Sequence, residues 1–338
     1  MQFESHIHRR TFLARSGLNL GAAALSGLLA RDALAAPSGL HQQASLGAIQ
    51  TLHHPPRAKA VIFLCLAGGP SHLETFDHNP VLAEQDGKPM PESITAGQPI
   101  AQLQGKKLLC LGPRKPFRRF GECGAEISEH FAQLGSLADR FTIVRSMVTE
   151  QINHDPAHTF MNCGTALSGR PSMGAWVTYG LGSEADNLPG FVVMTSKMGR
   201  NPQPIAARQW HSGFLPGQFQ GVEFSTSGSP VHYVENPPGV SVQQQRDVIK
   251  TVSALEEHRL QKINDPDVAT RIRQYELAFR MQTSVPELKD LSKESQSTLD
   301  AYGAKVGGAG FANNCLLARR MVERGVRFVQ LFDQGWDH

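Results

Sequence analysis

The sequence predicts an α/β protein with a mostly parallel sheet, and three features carry that expectation. Ala60–Leu66 is an unbroken apolar run ending in Ala67-Gly68-Gly69-Pro70. Hydrophobicity without alternation indicates a strand buried on both faces, as in parallel sheets. Residues 326–332 form a second strand-like run, entered from Gly325. Between these runs, apolar residues recur at helical spacing, so strands alternate with helices.

Each element follows from a local pattern. Ile127, Phe131, Leu134 and Ala138 share one helical face, which predicts a helix feeding a buried strand at Phe141–Met147. Phe191–Met194 is a third short strand candidate. From about 197 to 240 the chain is rich in Gly, Pro and Gln, the composition of a long covering loop. Asp265-Pro266 is a helix start, and Val268, Ile272, Tyr275 and Phe279 set the face of a helix running to about Gln282. Phe311–Arg324 is a further helix, closed by Gly325. There is no internal repeat.

Of 338 residues, 40% are hydrophobic and 19% charged, a globular composition, and the formal net charge is +3. Residues 1–35 hold Arg9, Arg10, Arg15 and Arg31 against Glu4 and Asp32, so without them the charge falls to +1. That is no footprint for nucleic acid or anionic lipid. Arg9-Arg10-Thr11-Phe12-Leu13, the weakly apolar run Ser16–Ala30 and Ala33-Leu34-Ala35 follow in order, as in a cleavable signal. The arginine pair points to the twin-arginine translocation machinery, with cleavage after Ala35 or Ala36 and a periplasmic or secreted product. The apolar run is too short and weak to span a bilayer of roughly 30 Å, so the mature chain is expected to carry no transmembrane segment. Residues 36–58 read as a linker and 59–338 as one domain. The five cysteines (Cys65, Cys110, Cys123, Cys163 and Cys315) lack zinc-type spacing. Cys65 and Cys315 read as small core residues, and a Cys110–Cys123 disulfide stays open.

The candidate site comes from clustered ligand-type residues. Asp333, Asp337 and His338 fall within six positions just past a strand, where carboxylates and an imidazole can converge on a divalent metal. Several blocks also resemble a known family. Gly68–Asp77 is similar to its opening signature, and Asn153-His154-Asp155-Pro156-Ala157-His158 to its second block. Tyr275–Glu287 and Gly335-Trp336-Asp337-His338 resemble the third and fourth. The chain thus resembles the secreted bacterial family known as domain of unknown function 1501, placed in the alkaline phosphatase and sulfatase superfamily. The resemblance covers residues 59–338.

What the resemblance implies is an alkaline-phosphatase-like three-layer sandwich and metal-dependent hydrolysis of sulfate or phosphate esters, on a small molecule or a polysaccharide. It implies metal ligands at Asp77, Asp333, Asp337 and His338, with zinc, calcium or magnesium as the cation. Gly68, Gly69, Ser71 and His72 would bind substrate, Gly68-Gly69 through backbone N–H groups unless the pair is only a tight turn. His154, His158 and Thr159 would be catalytic. In the superfamily the nucleophile lies ten residues before the glycine closing its helix. Cys163-Gly164 as that closing pair points to His154, and Ser168-Gly169 points to Thr159. Around Cys163 the formylglycine signal of sulfatases is broken, because Thr165 and Leu167 stand at its Pro and Arg positions. Further family blocks, Gly-Glu-Phe-Gly-Arg and Gly-Arg-Asp-His, are implied beyond residue 338, so the chain is expected to be C-terminally incomplete. The competing expectation is a non-catalytic exported binding or envelope protein on the same fold.

Overall fold

The computed structural model describes residues 47–49, 51–97, 103, 105–197, 202–225, 239–263 and 266–337; the expected signal peptide lies outside them. Six strands occur among the described residues: β1 (Val61–Ala67), β2 (Phe117–Phe120), β3 (Ala125–Ser128), β4 (Phe191–Lys197), β5 (Val222–Phe224) and β6 (Phe328–Gln334). Four of them form one sheet in the order β1-β6-β4-β5. Every pairing in that sheet is parallel, with Val61 opposite Phe328, Phe191 opposite Phe328 and Val192 opposite Val222. The protein is therefore α/β with a parallel four-stranded sheet, and all strand carboxyl ends lie along one edge.

The main helices are α1 (His154–Cys163), α2 (Met173–Leu181), α3 (Val242–Ile263), α4 (Pro266–Lys289), α5 (Gln296–Tyr302) and α6 (Phe311–Val322). They cover both faces of the sheet. On one face Val192, Met194, Val329 and Leu331 pack with Met281, Val285 and Leu288 of α4 and with Leu316, Leu317, Ala318 and Met321 of α6. On the other, Phe191, Val193, Phe328 and Phe332 pack with Trp210. Gly174 of α2 is on this second face, where a Cβ would come within 2.6 Å of the Phe191 ring. Among the described residues no helix is long and apolar enough to cross a membrane.

Four expectations need correction. β1 is an edge strand and is not buried on both faces: Ile62 and Leu64 are 40% and 49% exposed. The α4–α6 layer centres on β4 and β6, and apolar continuity does not report a strand's place in its sheet. Phe141–Met147 is irregular and largely exposed instead of a buried strand. A strand forms only where a neighbour takes up its N–H and C=O groups, and no described strand pairs with this segment.

The expected helix at 127–138 is instead strand β3 followed by short helical turns at Glu129–Phe131, Ala132–Gly135 and Ala138–Arg140. Gly121 and Gly124, at φ +67° and +65°, turn β2 back onto β3. The Asp139 carboxylate locks that turn by accepting the N–H groups of Glu122 and Cys123. In α4, Tyr275 is 48% exposed, and the buried stripe is Ile272, Met281, Val285 and Leu288. Cys110 and Cys123 are both free thiols.

Candidate active site

The three chain segments singled out around residues 68, 154 and 337 meet at the carboxyl edge of the sheet. Where β1 ends, the Ala67 carbonyl accepts the N–H groups of Gly335 and Trp336 at 3.2 and 3.0 Å, which folds the exit of β6 across the exit of β1. Gly68, at φ +108°, lies so close that a Cβ there would stand 2.7 Å from the Asp337 nitrogen. The Gly69 N–H donates to the Leu66 carbonyl at 3.0 Å. This pair is thus a tight turn with close backbone approach, and the Gly69 N–H is already engaged. Ser71 and His72 are exposed at the start of the one-turn helix His72–Thr75, and the Ser71 carbonyl accepts from Thr75 Oγ1. Asp77 is half-buried beyond it, its N–H donating to the His72 carbonyl.

Helix α1 starts at the same edge and closes at Cys163, with Gly164 left-handed at φ +71°. His154 Nε2 stands 3.2 Å from Asp337 Oδ2. One turn on, the His158 ring stacks against His154 with centroids 5.9 Å apart. Burial, reinforced by the charge on His154, pushes the His158 imidazole down to about 4, so it is neutral near pH 7. His158 Nδ1 is buried without a hydrogen-bond partner. Thr159 is buried, and its hydroxyl donates to the Asp155 carbonyl at 2.9 Å. Asn162 donates to the His158 carbonyl and accepts from Gln330 Nε2, which fastens α1 to β6. Burial raises the Cys163 thiol above its ordinary range.

Asp333 does not join this group. Along β6, Phe328 and Phe332 face the α1 side while Val329 and Leu331 face α6, and Asp333 follows the second set. It is 1% exposed, and both carboxylate oxygens are engaged, one by Ser196 Oγ at 2.7 Å and the other by Trp336 Nε1 at 3.0 Å. His338 lies outside the described residues.

Two residues not anticipated from the sequence belong to the site. Gln334 Oε1 accepts the Gln203 N–H at 3.1 Å, which pins the 202–210 loop to the end of β6. The Gln203 side chain lies against Asp337 and is the first cause holding that carboxyl below its usual range, with His154 adding to it. No hydrogen bond of good geometry reaches Asp337 Oδ1, so the contact with Gln203 is a near approach and not a closed bond. An Arg208–Asp155 ion pair ties the same loop to the first turn of α1.

These donors suit a divalent cation in part. Two metal bonds of about 2.1 Å at a tetrahedral angle end about 3.4 Å apart, close to the His154–Asp337 spacing. The buried, unpartnered atoms His158 Nδ1 and Asp337 Oδ1 belong to the same group. Among the described residues, no three His, Cys, Asp or Glu side chains come together closely enough to hold a metal by themselves.

Residues 58–338 match the model of a protein family of unknown function, DUF1501. The chain belongs to that family. The DUF1501 match begins just before β1 and spans the Gly68 turn, α1, the Gln203 loop and the exit of β6, so it contains the whole candidate site. No curated protein and no solved structure matches the chain.

Proposed function

We propose that this DUF1501 protein is an exported, alkaline-phosphatase-like hydrolase of sulfate or phosphate esters, with His154 and Asp337 holding a divalent cation. The observation that carries the reading is the His154–Asp337 pair, 3.2 Å apart at the carboxyl edge of a parallel sheet and at the first residue of α1. That edge is where open α/β sheets bind ligands. The N-terminal N–H groups and dipole of α1 attract an anionic ester. A bound cation would absorb charge developing on the transferred group. The closure of α1 at Cys163-Gly164 supports His154 over Thr159 as the residue that this helix brings to the site, there as a ligand of the cation, while the Thr159 hydroxyl is bonded to its own helix. His158, kept neutral, can accept a hydrogen bond from a group bound beside it. Ser16–Ala30 and the arginine pair before it support export.

A second reading, a binding protein on the same fold, is favoured by the engagement of Thr159 and Asp333 in internal hydrogen bonds. The test is hydrolysis of aryl sulfates and aryl phosphates after reloading chelator-stripped protein with zinc, manganese, calcium or magnesium. Metal-dependent turnover falling by about 100-fold or more in both His154→Ala and Asp337→Ala supports the hydrolase, since a positioned acid–base group alone contributes about 10²–10⁴-fold. Metal binding without turnover supports the binding protein. Turnover unchanged in both variants removes the site.

A further inference from the structure

We propose that Gln203 is a third ligand of the cation site, supplying its amide oxygen beside His154 and Asp337. The inference rests on the metal reading above and adds a donor that the sequence patterns do not single out.

The backbone around Gln203 is held without help from its side chain. Its N–H donates to Gln334 Oε1, its carbonyl accepts the Ile205 N–H at 2.8 Å, and the buried Gln209 amide donates to the Pro204 carbonyl at 2.9 Å. Because Pro204 follows it, Gln203 is confined to extended backbone. The side chain is therefore free to serve another purpose, and it is placed where little else could use it. Gln203 is 7% exposed, its Oε1 is buried with no hydrogen-bond partner, and the N–H end of its amide faces the Asp337 carboxyl. A buried amide oxygen left unsatisfied costs about 1–3 kcal/mol. Asp337 Oδ1 is unsatisfied as well.

With the Gln203 amide rotated so that its oxygen faces Asp337, two oxygens without donors and the His154 imidazole would form a cradle for a cation. Amide carbonyls are ordinary oxygen ligands. Rotation of the terminal amide exchanges its oxygen and nitrogen ends with little change of shape. One imidazole and two oxygens suit a zinc- or manganese-like ion better than calcium, which takes six to eight oxygens.

The experiment titrates chelator-stripped protein with zinc chloride and manganese chloride by isothermal calorimetry, comparing wild type with Gln203→Leu, Gln203→Glu and His154→Ala. The expected result is a loss of about 10–100-fold in affinity for Gln203→Leu, the scale on which single supporting groups affect metal sites. Gln203→Glu, which keeps an oxygen donor, should bind at least as tightly as wild type. If Gln203→Leu fails to fold, Gln203→Glu decides alone. Weaker binding by the Glu variant would mean that Gln203 serves only to donate to Asp337, and the proposal falls. Wild-type affinity in Gln203→Leu with loss in His154→Ala overturns the Gln203 assignment and leaves the metal site standing. A wild-type protein that binds neither ion overturns the metal reading and this inference with it.

Discussion

Replacing Gly68 by alanine isolates the contact on which the site geometry depends. The new Cβ would stand 2.7 Å from the Asp337 nitrogen and 3.0 Å from both the Asp337 Cβ and the Trp336 carbonyl carbon. None of these atoms is the end of a flexible side chain, so the backbone of 336–337 must move. Gly69 is the internal control: it also has positive φ, +81°, but nothing lies within 4 Å of its hypothetical Cβ. Gly69→Ala therefore costs only conformational strain, about 1–2 kcal/mol. Gly68→Ala adds overpacking of about 1–3 kcal/mol to a strain of the same size as at Gly69, for a total of about 2–5 kcal/mol. If the loop yields instead, stability is spared and Asp337 leaves His154. Urea unfolding and zinc titration of the two variants read both outcomes. Gly68→Ala should exceed Gly69→Ala in stability loss by at least about 1 kcal/mol, or lose metal affinity while Gly69→Ala keeps it. Indistinguishable behaviour of the two variants in both assays would refute the close packing of Gly68 on Asp337.

Further outcomes follow from named groups. His158 is held near 4, below its ordinary value of 6.5, so the unfolded state binds more protons between those values and stability should fall as pH drops from about 6.5 to 4. In chelator-treated protein, unfolding midpoints measured across that window should slope less steeply for His158→Gln than for wild type. Asp333→Ala strands the Ser196 hydroxyl and the Trp336 indole, and bonds to charged groups contribute about 1.5–3 kcal/mol each; a loss of about 3–6 kcal/mol by urea unfolding is expected, and a smaller loss in Asp333→Asn. Lysine at both Arg9 and Arg10 should leave uncleaved precursor inside the cell on immunoblots, whereas normal export of that variant would remove the twin-arginine reading.

Much of the sheet was legible because parallel strands announce themselves by apolar continuity: the buried β4 and β6 and the half-exposed edge strand β1 all arise from such runs. The same signal misled at Phe141–Met147, because continuity says nothing about whether a hydrogen-bonding neighbour exists. Helix α3 was missed although Ile249, Val252, Leu260 and Ile263 recur at helical spacing, because glutamines in its first turn and charges spread along it make the segment polar on average. At 127–138 a four-residue spacing suggested a helix, but Gly121 and Gly124 with the Asp139 cap make a hairpin, and that cap comes from 15 residues beyond Gly124. Within the site, Asp337 was visible as a ligand-type residue past a strand end, and His154 as a catalytic candidate through the family resemblance. Gln203 was not, since a lone amide between two prolines has no period or motif. Only its burial and its missing partner mark it. Asp333 looked like a ligand from its position in the chain, yet the two-residue alternation of β6 turns it toward α6, away from His154.

The metal content of the purified protein tests the central claim most directly. Wild type and His154→Ala are stripped with chelator, reloaded with equimolar zinc or manganese, passed through gel filtration and assayed by mass spectrometry. The account predicts that about one ion per chain stays with the wild type and that the variant comes through nearly empty, because a two-sided pair loses its grip when the imidazole is removed. Equal retention by both proteins, or none by either, would contradict a cation site at His154 and Asp337.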